Sequence, residues 1–184
     1  MNVFDFDKTI YPKDSTAEFI VYIALRHPLV IVDLLCGLPK VVAYKRGRIT
    51  KTEMKEKLFR CFGRVKDIDS AVSRFWDRRE SRIAEWYRGM KRPDDVVISA
   101  SPEFLLSDIC SRLGVGCLMA SRVDKRTGAY DGLNCYGEEK PNRFRQRFSD
   151  CEIDSFYSDS RSDDPMARLA KKAYVVKGEE HLPW

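Results

Sequence analysis

The sequence of 184 residues is poor in the side chains that form cysteine or histidine metal sites. It contains only two histidines, His27 and His181, and six cysteines scattered singly along the chain, with no Cys-x-x-Cys pair and no close Cys/His cluster. This pattern indicates neither a disulfide framework nor a zinc site. We therefore expect free thiols in a reducing compartment and packing or loop roles for the histidines.

Long apolar runs are also missing. The most apolar stretch, residues 28–44, is interrupted by Asp33, Gly37, Pro39 and Lys40, whereas a helix that spans a bilayer needs about 20 mainly apolar residues. The first residues do not resemble the apolar segment of a signal peptide. We therefore expect a cytoplasmic protein, and its ordinary hydrophobic and charged content is typical of a globular enzyme.

The charge of the chain is unevenly distributed. Residues 13–92 carry 19 Lys and Arg against 10 Asp and Glu, a balance of +9, and the remainder carries 14 against 18, a balance of −4. A basic segment beside an acidic remainder suits an anionic substrate that approaches metal-binding carboxylates. The alternative is that these cations only solvate helix surfaces. Aromatic and basic residues are not interleaved, so we expect no nucleic-acid binding.

The periodicity of apolar residues divides the chain into two parts. Residues 13–92 show helical spacing without strand signals, and the predicted helices start near Ser15, Leu29, Thr50 and Asp69. The second of these is expected to end near Gly37 and Pro39, and the last to run to Tyr87. After Pro93, strands at residues 95–99, 117–121, 153–158 and 174–177 alternate with helices at 102–113, 142–148 and 165–172, with a hairpin over 122–134.

Such alternation predicts an α/β fold with a doubly wound parallel sheet. We assign residues 1–12 and 93–184 to this core and residues 13–92 to an all-helical cap inserted after the first strand. Ligands of such sheets bind beyond the carboxyl ends of the strands. Four polar groups fall at predicted strand ends or follow the hairpin: Asp5 with Asp7, Ser99, Lys140, and Asp159 with Asp163.

This set has the chemistry that phosphoryl transfer requires. A carboxylate can attack phosphorus, and oxygen ligands suit Mg²⁺. A lysine, a hydroxyl and backbone N–H groups can hold the phosphoryl oxygens. A second carboxylate can act as the general acid and base.

In order along the chain, these residues resemble the four motifs of the haloacid dehalogenase superfamily, and the helical insertion resembles the cap of its phosphoserine-phosphatase-like subgroup. The resemblance implies that Asp5 is the nucleophile, that Asp7 is the general acid and base, and that Lys140 bridges Asp5 and the phosphoryl group. The implied phosphate-binding set is Thr9, Ser99, Ala100 and Lys140, in which Thr9 supports the Asp7 loop. The implied Mg²⁺ set is Asp5, Asp7, Asp159 and Asp163.

Two assignments within the resemblance have competitors. Ser101 competes with Ser99 for the phosphate, and Asp164 competes with Asp163 as the second acidic residue near the metal. The sequence also departs from the subgroup, since Ala100-Ser101 replaces its usual Gly-Gly, and phosphoserine is therefore not implied as the substrate. The presence of Asp7 argues against dehalogenation, because that reaction has no alkoxide leaving group to protonate.

We expect a Mg²⁺-dependent phosphatase that hydrolyses a small phosphorylated metabolite through an aspartyl-phosphate, without an obligate protein partner. The alternatives are a peripheral lipid-phosphate phosphatase and a non-catalytic phospholigand-binding module. The apolar residues Phe19, Tyr22, Ile23, Ile31, Leu34 and Leu35 are expected to pack inside the cap. Together with the basic residues nearby they would also fit a phospholipid surface, so membrane contact is a possibility that the sequence does not favour.

Overall fold

The architecture is that of a six-stranded sheet flanked by helices, described from a computed structural model that covers residues 1–149 and 151–184. The strands lie in the order β3-β2-β1-β4-β5-β6, and all neighbours are parallel except the β5–β6 pair. Their bounds are β1 (Asn2–Phe4), β2 (Val96–Pro102), β3 (Cys117–Ser121), β4 (Ile153–Ser158), β5 (Ala170–Lys177) and β6 (Glu180–Pro183). The sheet confirms the predicted α/β class.

The helices fall into two groups along the chain. The segment between β1 and β2 holds α1 (Ser15–Ala24), α2 (Pro28–Lys45), α3 (Lys51–Phe59), α4 (Ile68–Asp77) and α5 (Glu85–Met90), with 3-10 turns at Arg60–Arg64 and Glu80–Arg82. The later segment holds α6 (Glu103–Leu113), α7 (Glu139–Arg147) and α8 (Asp164–Ala167), with a 3-10 turn at Arg161–Asp163.

Aromatic side chains connect the helical segment to the sheet. Phe4 is the last residue of β1, and Phe6 lies two residues further along the chain. Both side chains are fully buried. Phe6 packs edge-on against Trp76 of α4, whose indole N–H donates to the Leu105 carbonyl of α6 at 2.7 Å. Burial of side chains this large dominates the energetics of a core. Helix α4 is therefore anchored to the sheet side of the molecule.

The prediction for α2 was wrong in its length. The helix continues through Gly37 and Pro39 to Lys45. Pro39 lacks the N–H that would bond to the Leu35 carbonyl, but both residues are exposed, so water can reach that carbonyl. Gly37 is buried, and a Cβ placed there would lie 2.7 Å from Leu58 Cδ2. Here glycine permits close packing of α2 on α3 and does not end the helix.

The single helix predicted over residues 69–87 was also wrong. It is divided into α4 and α5 by the 3-10 turn and an extended residue, Ala84. The Ala84 N–H donates to the Ile10 carbonyl at 2.9 Å. The break thus places a backbone donor against the loop that follows β1, which an uninterrupted helix would not allow.

Three differences affect the carboxyl-terminal half. The 122–134 segment reverses direction through one antiparallel bridge, Val123 to Tyr130, without the predicted strands. Helix α8 ends at Ala167 because residue 170 already begins β5, paired with Ile153. Strand β6 was not predicted, since its sequence is polar and it lies antiparallel at the sheet edge.

Candidate active site

The predicted strand-end residues converge at one edge of the sheet. Strands β2, β1 and β4 are adjacent. From β1 the chain first adds β2 and β3 on one side and then adds β4 and β5 on the other. Doubly wound sheets bind ligands at this switch point beside the first strand. A cavity of about 340 Å³ opens there between the strand ends and the helical segment. Its lining includes seven of the eight predicted site residues, all except Thr9: Asp5, Asp7, Ser99, Ala100, Lys140, Asp159 and Asp163.

Lys140 joins the first and last motifs. It lies in the first turn of α7, which begins three residues earlier than predicted. Its Nζ donates to Asp5 Oδ1 and to Asp163 Oδ2, each at 2.7 Å, and all three residues are buried. Ser158 Oγ also donates to Asp163 Oδ2 at 2.7 Å. Asp163 is therefore in the site, whereas the carboxylate of Asp164 accepts from the Trp184 indole at 2.6 Å and does not line the cavity.

The charges of Asp5, Lys140 and Asp163 affect one another strongly. Burial raises the pKa of Asp5, with Lys140 opposing the shift and Asp163 adding to it. Burial also disfavours a charged lysine, but the carboxylates of Asp5 and Asp163 together raise the pKa of Lys140. One ammonium group thus stands between two carboxylates in a region of low solvent access, where electrostatic interactions are strong.

Asp7 is held by donors that sequence reasoning missed. The Ser15 N–H, at the start of α1, donates to Asp7 Oδ1 at 2.8 Å, and a helix amino terminus favours a negative charge. The Ser101 hydroxyl donates a short hydrogen bond to Asp7 Oδ2 and lies 2.8 Å from Thr16 Oγ1. Burial raises the pKa of Asp7, and Ser101 and Ser15 oppose that shift.

The remaining motif residues shape the loops. Thr9 is buried, and its Oγ1 accepts from the Asp159 N–H at 3.0 Å, so it ties the β1 loop to the β4 loop. Ser99 Oγ accepts from the Ser101 N–H at 3.1 Å. Lys8, between Asp7 and Thr9, has a φ of 58°, the one left-handed backbone conformation among the described non-glycine residues. Strained backbone of this kind concentrates at functional sites.

The oxygen donors at this edge suit Mg²⁺. Asp5 and Asp159 contribute carboxylates from neighbouring strand ends, and burial raises the pKa of Asp159. Within the described ranges, no three His, Cys, Asp or Glu side chains already stand together as a metal cluster. Mg²⁺ is usually held by one or two protein carboxylates and keeps several waters, so a sparse oxygen-only set fits this ion.

Helix α3 brings two cations to the opposite wall of the cavity. Lys51 and Lys55 are one turn apart, and both line the cavity. Lys55 Nζ donates to the Ala100 carbonyl at 3.1 Å, and Lys51 Nζ lies 4.0 Å from the centre of the Tyr136 ring. Burial lowers the pKa of Lys55 to about 8. Thr50 and Glu53 form a capping box at the start of α3. The two lysines follow it at a four-residue spacing, and this spacing is the signal that could have identified them.

Comparisons with known proteins agree with this fold. Residues 3–168 match the sequence model of the haloacid dehalogenase-like hydrolases. Protein CicA from Caulobacter vibrioides is 29% identical to the chain, over 94% of this chain and 84% of its own length. A protein of unknown function from Bordetella pertussis Tohama I has a similar structure, with a TM-score of 0.79, 20% identity, and coverage of 95% of this chain and 88% of that one.

A phosphoserine phosphatase, solved as an analogue of its phospho-aspartyl intermediate, has the same fold at a TM-score of 0.56, with 17% identity and coverage of 94% of this chain and 84% of that one. The family model thus identifies a hydrolase, and its fold is built on a doubly wound sheet. The chain belongs to the haloacid dehalogenase-like hydrolase family, with the fold of its phosphoserine-phosphatase-like members.

Proposed function

We propose that this protein is a cytoplasmic, Mg²⁺-dependent phosphatase that hydrolyses a small phosphomonoester through an aspartyl-phosphate on Asp5. The observation that carries the proposal is the pairing of two differently held carboxylates at one cavity. Asp5 contacts the Lys140 ammonium group, whereas Asp7 is held by a hydroxyl and a backbone N–H. These environments suit a nucleophile and a proton-transfer group, respectively.

In the first step, an Asp5 carboxylate oxygen attacks phosphorus and the bond to the leaving alkoxide breaks. Asp7 gives its proton to that alkoxide, so the alcohol leaves neutral. Lys140 lies against Asp5 and is placed to neutralise charge on the phosphoryl oxygens. The fold of the phosphoserine phosphatase solved as a phospho-aspartyl analogue supports this proposal by analogy.

In the second step, Asp7 takes a proton from water as the water oxygen attacks phosphorus. The bond between phosphorus and the Asp5 oxygen breaks, which releases inorganic phosphate, restores the Asp5 carboxylate and leaves Asp7 protonated for the next cycle. The hydrogen bonds from Ser15 and Ser101 hold the Asp7 side chain in one orientation during both proton transfers. Ser99 and the Ala100 N–H are the proposed phosphate donors.

Asp5, Asp159, the Asp7 carbonyl and Asp163, the last directly or through water, would hold Mg²⁺. The bound ion supplies positive charge that allows one anion to approach another. This set remains a proposal that rests on the resemblance and on the donor chemistry of the strand ends.

The helical wall of the cavity favours an anionic, partly apolar substrate. Lys51 and Lys55 contribute positive charge, and the apolar part of the wall consists of Ile20, Met54, Leu58 and Phe59. A cavity of about 340 Å³ is at the small end of ligand sites. We therefore propose a small phosphorylated metabolite and not a macromolecule as the substrate.

The test is phosphate release from a panel of phosphomonoesters, with Mg²⁺ and with a chelator. We compare the wild type with Asp5→Asn and with Asp164→Asn, a matched change of an acid outside the cavity. We expect Mg²⁺-dependent release that falls by at least about a thousandfold in Asp5→Asn and persists in Asp164→Asn. No release from any ester, or release that survives in Asp5→Asn, would overturn the proposal.

A further inference from the structure

The outer side of α2 is an unusually apolar surface. Of the twelve large hydrophobic residues that are exposed among the described residues, nine lie between residues 21 and 44. We define the α2 apolar face by Ile31, Val32, Leu35, Leu38 and Val42, which are between 46% and 59% exposed. Contiguous exposed apolar patches of this kind mark interaction sites more often than single exposed leucines do.

Helical geometry places these residues together. Ile31, Leu35, Leu38 and Val42 are spaced by four, three and four residues, so they occupy about 60° of the helix circumference. Val30 and Gly37 are buried on the other side, and Gly37 packs against Leu58 of α3. The helix therefore has two apolar sides, and only one of them is covered.

The sequence predicts that the apolar residues of this segment pack inside the cap. That expectation holds for Phe19, Tyr22 and Ile23, which are buried, and Leu34 is partly buried against the same hydrophobic cluster. It is wrong for Ile31 and Leu35, which are exposed. The difference arises because the long α2 has more apolar residues than α3 and the following turn can cover.

Basic residues lie at the carboxyl end of the apolar face. Lys45, Arg46 and Arg48 stand close together there, and all three are exposed. Between residues 26 and 50 the single acidic residue is Asp33. It pairs with Arg64 at 2.7 Å, which holds its pKa below the usual range. Among the described residues, no carboxylate forms an ion pair with Lys45, Arg46 or Arg48, so the positive charge of these three is not compensated locally.

We propose that the α2 apolar face docks on an anionic lipid surface, with the leucine side chains in the headgroup region and the basic residues against lipid phosphates. Exposed aliphatic residues beside lysine and arginine are the features of interfacial helices, and basic clusters are attracted to anionic membranes. No helix in the described ranges is long and apolar enough to cross a bilayer.

A second copy of the chain fits the same face less well. A twofold contact repeats the same patch on both partners, so two sets of uncompensated basic residues would border one interface. Asp33 cannot offset them, because it already pairs with Arg64. Charge complementarity thus favours a lipid surface over self-association.

The test is co-sedimentation of the full chain with vesicles of phosphatidylcholine alone or with about one third phosphatidylglycerol. We expect binding to the anionic vesicles that weakens at about 0.5 M salt, and much weaker binding to the neutral ones. Replacing Leu35→Ser and Leu38→Ser together should reduce binding at least about tenfold, as should Lys45→Glu with Arg46→Glu.

The matched control is Leu133→Ser with Leu182→Ser, which replaces two leucines that are 67% and 42% exposed outside α2. This variant should bind like the wild type, and thermal melting confirms that each variant is folded. The readout does not depend on catalysis, so it stands apart from the test of the proposed function. Absence of binding to anionic vesicles at low salt would overturn the inference. The inference would also be overturned if the protein did not bind vesicles but formed a dimer that the Leu35→Ser and Leu38→Ser substitutions disrupt.

Discussion

At the scale of single residues, the site depends on how each carboxylate is held. Asp5 shares one ammonium group with Asp163, whereas Asp7 has a helix amino terminus and a serine hydroxyl as partners. Two carboxylates in different environments can perform different roles in one reaction. The Ser101 contact gives a means of separating those roles by substitution.

Ser101→Ala and Ser99→Ala should affect different kinetic constants. Ser101→Ala removes the hydroxyl that donates to Asp7, so we expect kcat to fall by about tenfold or more with KM little changed. Ser99→Ala removes a proposed phosphate donor, so we expect a higher KM. Steady-state kinetics on one aryl phosphate measures both. The opposite pattern would assign the phosphate to Ser101, the competing choice that the sequence left open.

The contacts of Asp7 could not have been predicted from the sequence. The acids themselves were found because they follow strands at motif spacing. Ser101 is 94 positions from Asp7 along the chain, and Ser15 was interpreted only as a helix start. Both serines lie close to Asp7 because α1 packs against the end of β2, where Thr16 contacts Ser101. Local sequence patterns do not encode this packing.

At the scale of elements, α3 contributes a titratable cation to the cavity. Burial and Lys51 lower the pKa of Lys55 to about 8, while Asp14, Asp7 and Asp5 oppose the shift. Lys55 is charged below that pH and neutral above it. Attraction of an anionic substrate should therefore weaken as the pH rises through about 8.

We expect KM to rise across that range in the wild type, and the rise to move to higher pH in Lys55→Arg, because arginine stays protonated. Lys57→Arg is the matched control on the same helix, since Lys57 does not line the cavity. KM measured against pH for the three proteins checks this. Identical profiles in all three would contradict a role for Lys55 in substrate binding.

The 122–134 loop docks on the end of α3 through two glycines. A Cβ at Gly63 would lie 2.1 Å from the Arg126 carbonyl oxygen, and one at Gly128 would lie 2.4 Å from the Phe59 carbonyl carbon. Gly128 also has a φ of 73°. The backbone of the helical segment therefore contacts the backbone of the loop at these two glycines. A side chain at either position would push the two segments apart.

Gly128→Ala should destabilise the protein by about 2 kcal/mol, because it adds a clash to the cost of a left-handed alanine. For a chain of this size that corresponds to a fall in Tm of about 4–8 °C. Gly178→Ala is the control, since its φ is 64° and nothing lies within 4 Å of its Cβ. Equal melting temperatures for both variants would contradict the close approach at Gly128.

At the scale of the whole molecule, the sheet was the most predictable part. Its buried parallel strands have strong apolar signals bounded by turns, and their alternation with helices predicts parallel pairing through right-handed crossovers. The order of the strands in the sheet was not predicted. The length of α2, the division of α4 from α5 and the edge strand β6 were not predictable. Each depends on a distant partner: Leu58 for Gly37, Ile10 for Ala84, and β5 for β6.

The helical segment and the sheet also share one hydrophobic cluster, which contains Phe4 and Phe6 from the sheet side and Phe19 and Trp76 from the helices. The boundaries assigned from sequence at residues 12 and 93 remain a prediction. Because Trp76 of α4 is part of this shared cluster, any motion of the helical segment over the cavity has to leave Trp76 in place. We therefore expect α3 to move more than α4.

The most direct measurement follows phenol release in the pre-steady state after Asp7→Asn is mixed with an excess of an aryl phosphate. An aryl oxide leaves without an acid, so Asp5 should still be phosphorylated, while the second step lacks its base and slows. We predict a burst of about one equivalent of phenol, and peptide mass spectrometry should locate one phosphoryl group on Asp5. Normal turnover without a burst, or a burst with unmodified Asp5, would contradict the assignment of the nucleophile and its general base.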